Sequence, residues 1–138
     1  MAFLHRNRHR EMSWREERLK KELYEVNGFQ IEEIYNISTY EIQVSEKVLL
    51  ILLQWACYGQ SESGILFGRK QIEKIPKRWL QEHLITVVKN DFEYTDDWNY
   101  RRLLELVSKQ VPELMGDMLL INLDTTNPDL LEVIEDFR

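Results

Sequence analysis

The sequence of 138 residues has little cysteine, proline and glycine, and it has no long hydrophobic run. Its single cysteine, Cys57, cannot close an intramolecular disulfide, so nothing in the sequence requires an oxidising compartment. Three prolines and five glycines are too few for a collagen-like or low-complexity chain. The longest apolar run extends from Val48 to Leu53, far short of the roughly 20 residues that cross a bilayer. No apolar stretch of a secretory signal follows the basic first ten residues, so we expect a cytoplasmic protein.

Charge is distributed unevenly along the chain, which has 18 Lys and Arg against 24 Asp and Glu. Residues 1–21 contain seven basic and three acidic side chains, whereas residues 91–138 contain four basic and twelve acidic ones. The isoelectric point of about 5.1 argues against a dedicated nucleic-acid binder, because such proteins usually carry a basic surface. A basic beginning and an acidic end indicate charge complementarity, either within the fold or toward a partner.

Apolar spacing predicts about seven helices joined by short connections, and therefore an all-α fold. Residues 1–12 are predicted to form a basic arm, and residues 13–138 a single helical domain that begins with a Ser13–Glu16 capping box. Helices are predicted at 14–27, 29–37, 46–58 and 77–89, from Asp97 to Pro112, from Pro112 through Leu119, and from Pro128 onward. The predicted core includes Leu49 to Leu53, Trp79, Leu103 and Leu106.

Local signals mark several helix ends. Asn27-Gly28 predicts a left-handed stop, and Ser45 is predicted to cap the helix over 46–58. The helix from Asp97 has acidic residues at its positive end, and the last helix begins with an Asn127-Pro128 cap and first-position proline. Residues 59–64 are predicted to be a flexible loop, and residues 65–75 fit a strand or a helix.

The second half of the chain has a paired helix pattern. The helix starts at Asp97 and Pro128 lie 31 residues apart, with a helix break at Pro112 between them. The sequence resembles the HEAT-like helical-repeat proteins, and the segments that carry the resemblance are Trp98–Val107, Val111–Met115 and Asn127–Ile134. This resemblance implies a short stack of antiparallel helix pairs, an α-solenoid fragment, that serves as a binding scaffold.

No sequence motif indicates catalysis. The chain lacks a glycine-rich phosphate loop and the G-x-S-x-G, H-E-x-x-H and C-x-x-C patterns. Cys57 is predicted to lie near the carboxyl end of an apolar helix, where the helix dipole opposes a thiolate, so we expect a packed, inert thiol. His83 follows Trp79 on the same predicted helix and is expected to pack at the core or its rim; a catalytic role would need an orienting carboxylate and a pocket. We therefore predict no enzymatic activity and no cofactor.

Two candidate metal sites have incomplete ligand sets. His5 and His9 have helical spacing, but three arginines surround them and would repel a divalent cation. The loop that starts at Asp91 begins like a calcium loop, but Asp96 replaces its turn glycine and Arg102 its bidentate glutamate. We predict no metal site.

Two charged surfaces remain as candidates for binding. The first is acidic, and it is predicted to bind another protein with a basic surface, as a bacterial immunity or inhibitor protein would. Its residues are Asp91, Glu93, Asp96, Asp97, Asp117, Asp124 and Asp129. The second is basic, and its alternative role is that of a nucleic-acid accessory protein that contacts phosphates. Its residues are Arg6, Arg8, Arg10, Arg69, Lys70, Lys74, Lys77 and Arg78.

The basic stretch from Arg69 to Arg78 also fits a solvated face or an internal partner for the acidic third of the chain. Nucleic acid is the less favoured partner because of the overall acidity, and a membrane partner is not expected. Four Trp and five Phe exceed what a small core strictly needs, so a homodimer is compatible with the composition.

Overall fold

The computed structural model describes residues 14–138, and these residues form an all-α fold with no β-strand among them. Residues 14–24 form α1. The later helices are α2 (Ile42–Cys57), α3 (Glu62–Glu73), α4 (Lys77–Asp91), α5 (Asp97–Gln110), α6 (Met115–Leu120) and α7 (Pro128–Phe137). The predicted all-α class is confirmed. The predicted arm over 1–12 and Ser13 of the capping box lie outside the described residues.

Local signals set several helix boundaries. The stop at Asn27-Gly28 and the Asn127 cap were predicted, although the first helix ends at residue 24 and not at 27. After α1, Asn27 and Gly28 take φ angles of 52° and 73°, the left-handed stop that the dipeptide indicated. The Asp96 side chain accepts a hydrogen bond from the Asn99 N–H at 2.9 Å and caps α5. Asn127 caps α7 by accepting from the backbone N–H two residues further on, also at 2.9 Å. Each cap satisfies a backbone donor that the first turn of a helix leaves without a partner.

Residues Ile31–Thr39 form a 3-10 helix where the sequence predicted an ordinary helix over 29–37. The helix is interrupted by a kink at Asn36, whose φ and ψ angles are −102° and 17°. Ile31 and Ile34 precede the kink, and they lie on one face because a 3-10 helix has three residues per turn. Ile37 follows the kink and is also buried.

The start of α2 corrects the prediction for Ser45. The helix begins at Ile42, one turn before the predicted start, so the predicted Ser45 cap is wrong. The Ser45 hydroxyl donates instead to the carbonyl of Glu41 at 3.1 Å and to that of Ile42 at 3.2 Å. A serine inside a helix can bond in this way to the preceding turn, so its presence does not mark a helix start.

The predicted loop over 59–64 is also corrected, and the choice between strand and helix over 65–75 is decided for helix. The α3 helix begins at Glu62, and the Ser61 side chain caps it by accepting from the Gly64 N–H at 3.3 Å. The stretch 65–75 is helical as far as Glu73. Gly68 lies inside α3 at a close approach to α2.

The core surrounds α2, which packs against α3, α4 and α5. The predicted core residues that are buried are Leu49, Leu52, Leu53, Trp79, Leu103 and Leu106. Leu50 and Ile51 are only partly buried, so the prediction that the whole run from Leu49 to Leu53 lies in the core is too broad. No helix within residues 14–138 combines the length and the apolar character needed to cross a membrane.

Polar groups of two aromatic side chains in α5 donate hydrogen bonds to backbone carbonyls of other segments. The Tyr100 hydroxyl of α5 donates to the Met118 carbonyl of α6 at 2.7 Å. The Trp98 indole N–H donates to the Gly59 carbonyl at 3.2 Å, which fixes the start of α5 against the end of α2. These bonds satisfy polar atoms that packing would otherwise remove from water.

Candidate functional site

The predicted acidic residues lie in two segments that the fold brings together. The Asn122 side chain, in the turn after α6, donates to the Tyr94 carbonyl of the α4–α5 loop at 2.8 Å. All seven predicted acidic residues are exposed, and they form no ion pair with a described Lys or Arg. Asp91 ends α4 instead of opening a loop, and Asp96 also serves as the cap of α5.

Two leucines are exposed within this acidic region. Leu120 is 58% exposed and Leu123 is 66% exposed. The Leu123 N–H donates to the Leu120 carbonyl at 3.1 Å, so both belong to one turn, which Asp117 precedes and Asp124 follows. We name Asp117, Leu120, Leu123 and Asp124 the acidic–leucine turn. Sequence analysis missed these leucines, although the run from Met118 to Ile121 has more apolar residues than one helix face can bury.

Some cations of the predicted basic surface form ion pairs with carboxylates of this chain, and others do not. Arg69 lies 2.6 Å from the Glu105 carboxylate, and Lys77 lies 2.8 Å from the Glu113 carboxylate. Both carboxylates belong to the acidic third of the chain. Arg78 also pairs with Glu82 of its own helix at 3.4 Å, so three of the five predicted cations from Arg69 to Arg78 have intramolecular partners. Lys70, Lys74 and Arg78 are exposed. Arg6, Arg8 and Arg10 lie outside the described residues, and nucleic-acid binding stays a prediction.

Glu105 accepts hydrogen bonds from two guanidinium groups. Arg69 approaches it at 2.6 Å, and the Arg102 Nη1 lies 3.0 Å from both carboxylate oxygens. Burial raises the pKa of Glu105, but the two arginines outweigh this effect and lower the pKa below its usual range. Arg102 also lies over the Trp98 ring, with its Cζ 4.0 Å from the ring centroid. The Nε atoms of both arginines are buried without a hydrogen-bond partner.

A cavity of about 370 Å³ lies beside this network, between α3, α5 and the start of α1. Its apolar floor consists of Leu66, Phe67 and Leu106. Its cations are Arg15, Arg69, Lys70 and Lys109, and Glu73 is its acidic residue. We name this cavity the cationic groove. The sequence analysis named Arg69 and Lys70 but not Leu66 or Lys109, because residues of α3 and α5 meet only in the folded chain.

Arg15 also contributes to the lining of a second cavity of about 330 Å³, together with Trp14, Arg18 and Trp55. The Arg15 Nη2 donates to the Ser63 hydroxyl at 2.9 Å. Arg15 is therefore a lining residue of both cavities.

Cys57 and His83 occupy packed positions. Cys57 is fully buried, as predicted, and burial raises the pKa of its thiol far above the usual range. The His83 ring stacks on Trp79 with 4.4 Å between centroids, and its Nδ1 lies 3.8 Å from a Glu46 carboxylate oxygen. A separation of 3.8 Å is too long for a hydrogen bond, so the carboxylate does not fix the orientation of the imidazole. The predicted absence of catalysis stays a prediction.

No cluster of three or more His, Cys, Asp or Glu side chains within residues 14–138 has the arrangement of a metal site. His5 and His9 lie outside this range. The loop from Asp91 to Asp97, whose sequence begins like a calcium loop, instead supplies the cap of α5.

The comparisons with known proteins give no match: no family model, no curated protein and no solved structure is significantly similar to this chain. The resemblance to HEAT-like repeats therefore stays a prediction from the sequence pattern.

Proposed function

We propose that this protein is a non-catalytic protein-binding module whose acidic C-terminal surface binds a partner with a basic surface. The observation that carries the proposal is the acidic–leucine turn, in which two exposed leucines lie between exposed carboxylates. The exposed part of a leucine side chain gains no burial energy from the fold, whereas covering it in a complex releases about 25 cal/mol for each Å² of apolar surface. A protein partner can cover both leucine side chains with its own apolar surface.

Charge indicates the class of partner. The carboxylates of Asp117 and Asp124 have no cationic partner among the described residues, so their field extends into solvent. Exposed charges at the rim of an interface accelerate association with a surface of opposite sign and disfavour partners of like sign. A basic protein fits this surface, and a cationic nuclease or other toxin neutralised by a bacterial immunity protein is one partner of this kind.

A helical scaffold suits such a role. The Asn122–Tyr94 hydrogen bond and the Tyr100–Met118 hydrogen bond hold the acidic–leucine turn against α5 and the loop before it. A surface held in this way loses little conformational entropy when a partner binds. A stack of HEAT-like helix pairs would supply the same rigidity, in accord with the resemblance in the second half of the sequence.

Affinity capture from a lysate of the native host tests the proposal. Three immobilised chains are compared: the wild type, the variant Asp117→Lys/Asp124→Lys, and the control Glu17→Lys/Glu25→Lys. All four positions are exposed, and both variants change the net charge equally. We expect a basic protein that the wild type and the control retain and that the Asp117→Lys/Asp124→Lys variant loses.

Binding kinetics with the captured protein separate the two components of the surface. Replacing Asp117 and Asp124 is expected to lower the association rate about tenfold at low salt and to reduce its salt dependence. Leu123→Ser is expected to raise the dissociation rate with the salt dependence unchanged, because the leucine supplies contact area. Equal binding by the wild type and the Asp117→Lys/Asp124→Lys variant would contradict the proposal, and so would a partner that is itself acidic.

A further inference from the structure

Beyond this protein-binding role, we infer that the cationic groove is a binding site for a small organic anion with an apolar body, of which a medium-chain carboxylate is the simplest example. The groove lies between α3 and α5, and none of the seven acidic residues of the proposed protein-binding surface lines it. Its volume of about 370 Å³ falls in the range of roughly 300–1,000 Å³ that small-molecule sites occupy.

The floor of the groove is an apolar surface that the fold leaves open. Leu66 is 48% exposed although it lies in the middle of α3. The neighbouring Phe67 ring packs edge-on against Trp55 with 5.4 Å between centroids, and Leu106 of α5 is fully buried. Packing therefore holds two of the three floor residues in place, and an apolar ligand body would cover the third.

The charge of the groove is opposite in sign to that of the whole protein. Four cations line it against the single carboxylate of Glu73, whereas the chain as a whole has a net charge of −6. Arg69 pairs with Glu105, but neither Lys70 nor Lys109 forms an ion pair with a described acidic residue. The two ammonium groups are therefore available to an anionic ligand.

The combination of floor and charge selects the ligand class. An inorganic anion such as phosphate would meet the lysines but leave Leu66 uncovered, and a neutral apolar molecule would cover Leu66 but leave the lysines without a counter-charge. A carboxylate on an aliphatic or aromatic body satisfies both, since a small number of polar groups fixes its orientation above an apolar surface.

Three probes with one apolar tail test this inference by NMR titration of the full chain: sodium octanoate, octylammonium and 1-octanol. We expect octanoate to give saturable shifts at the amides of Leu66, Lys70 and Lys109, and 1-octanol to bind more weakly. Octylammonium is expected to leave these amides unchanged, because its charge has the same sign as the groove.

Matched variants test the part played by the lysines. Lys109→Glu is expected to weaken octanoate binding about tenfold, since it replaces an attraction with a repulsion. Lys89→Glu is the control: Lys89 is exposed in the last turn of α4 as Lys109 is in the last turn of α5, so the two variants make the same charge change at equivalent helix positions. Lys89→Glu is expected to bind octanoate as the wild type does.

Leu66→Ser tests the apolar floor at an exposed position where folding is preserved, and weaker octanoate binding is expected. The inference is overturned if octanoate gives no saturable shifts, if octylammonium or 1-octanol binds as tightly as octanoate, or if Lys109→Glu behaves like Lys89→Glu. The proposed protein-binding surface lies outside the groove, so these outcomes do not bear on the affinity capture.

Discussion

Gly68 of α3 lies directly against the backbone of Ala56 in α2. A β-carbon at position 68 would be 2.5 Å from the Ala56 nitrogen and 2.7 Å from the carbonyl carbon of Trp55. Backbone atoms cannot move aside as the end of a flexible side chain can, so a larger residue must push the two helices apart. The glycine therefore sets the distance between α2 and α3, and with it the position of the groove floor on α3.

Gly68→Ala is expected to destabilise the protein by about 1–3 kcal/mol, the usual cost of inserting a methyl group into a packed interior. Gly116→Ala is the matched control, because Gly116 lies in α6 and a β-carbon there would meet nothing within 4 Å. At that position the alanine should be neutral or stabilising by up to about 1 kcal/mol, since it has the better helix propensity. Urea denaturation measures both free energies of unfolding, and equal effects would show that the close approach imposes no constraint.

The hydrogen bond from Tyr100 to Met118 gives a second prediction. Tyr100→Phe should lower the free energy of unfolding by about 1 kcal/mol, because it removes a buried hydrogen bond and keeps the ring. Tyr35→Phe is the control, since Tyr35 is 60% exposed, and it should have no effect. An equal loss in both variants would contradict the role of this bond.

The Tyr100 hydroxyl should also make folding stability depend on pH in the alkaline range. Burial raises the pKa of Tyr100 from 10.0 to about 12, so the folded chain holds this proton more tightly than the unfolded chain does. The resulting stability is present below pH 10 and is lost as the pH rises toward 12. The difference in unfolding free energy between wild type and Tyr100→Phe should therefore shrink over this range. A constant difference would show that the hydroxyl does not titrate with folding.

For Glu105 we expect folding stability to depend on pH in the opposite direction, with a loss at acidic pH. Its folded pKa is lowered from the ordinary value of 4.5, so the stability that its ionised form contributes is present above that value and is lost as the pH falls through the folded pKa. Glu105→Gln should cost about 1–3 kcal/mol at pH 7, because two arginines lose their carboxylate partner. The difference in unfolding free energy between Glu105→Gln and the wild type should be smaller at pH 3 than at pH 7.

A surface glutamate supplies the control for this experiment. Glu17→Gln changes the same functional group at an exposed position, and it should cost nothing measurable at either pH. If Glu105→Gln lowered the unfolding free energy as much at pH 3 as at pH 7, the carboxylate charge would not be what stabilises the arginine pair.

Asp96 has two roles that substitutions can separate. Asp96→Ala removes both the charge and the cap of α5, and it should destabilise the protein by about 1 kcal/mol. Asp96→Asn removes only the charge, because asparagine caps helices as well as aspartate does. Asp96→Asn should therefore leave the midpoint of thermal unfolding nearly unchanged. If Asp96→Asn lowered this midpoint as much as Asp96→Ala does, the charge, and not the cap, would be what stabilises α5.

The features of the fold that sequence predicted are those decided within a few residues. The stop at Asn27-Gly28 and the cap at Asn127 depend on one or two residues and the adjacent backbone, and both were found where expected. The error at Ser45 has a different origin, because the serine hydroxyl bonds to the preceding turn inside α2 and does not mark a helix start. The choice between strand and helix over 65–75 stays open in the sequence, and the helix that forms there packs its Gly68 against α2.

The candidate sites were predictable only in part. The exposure of the acidic residues followed from their charge alone. The partners of Arg69 and Lys77 could not be found from the sequence, because each pair joins residues 36 positions apart on different elements. The cationic groove has the same origin, since Lys70 of α3 and Lys109 of α5 line one cavity only after the chain has folded.

The position of Arg15 links the shapes of the two cavities that it lines. Its guanidinium donates to the exposed Ser63 hydroxyl at 2.9 Å and lies 5.4 Å from the centroid of the Trp14 ring. A single hydrogen bond to an exposed hydroxyl is inexpensive to break. A change of rotamer at this one side chain would therefore alter the lining of both cavities at once.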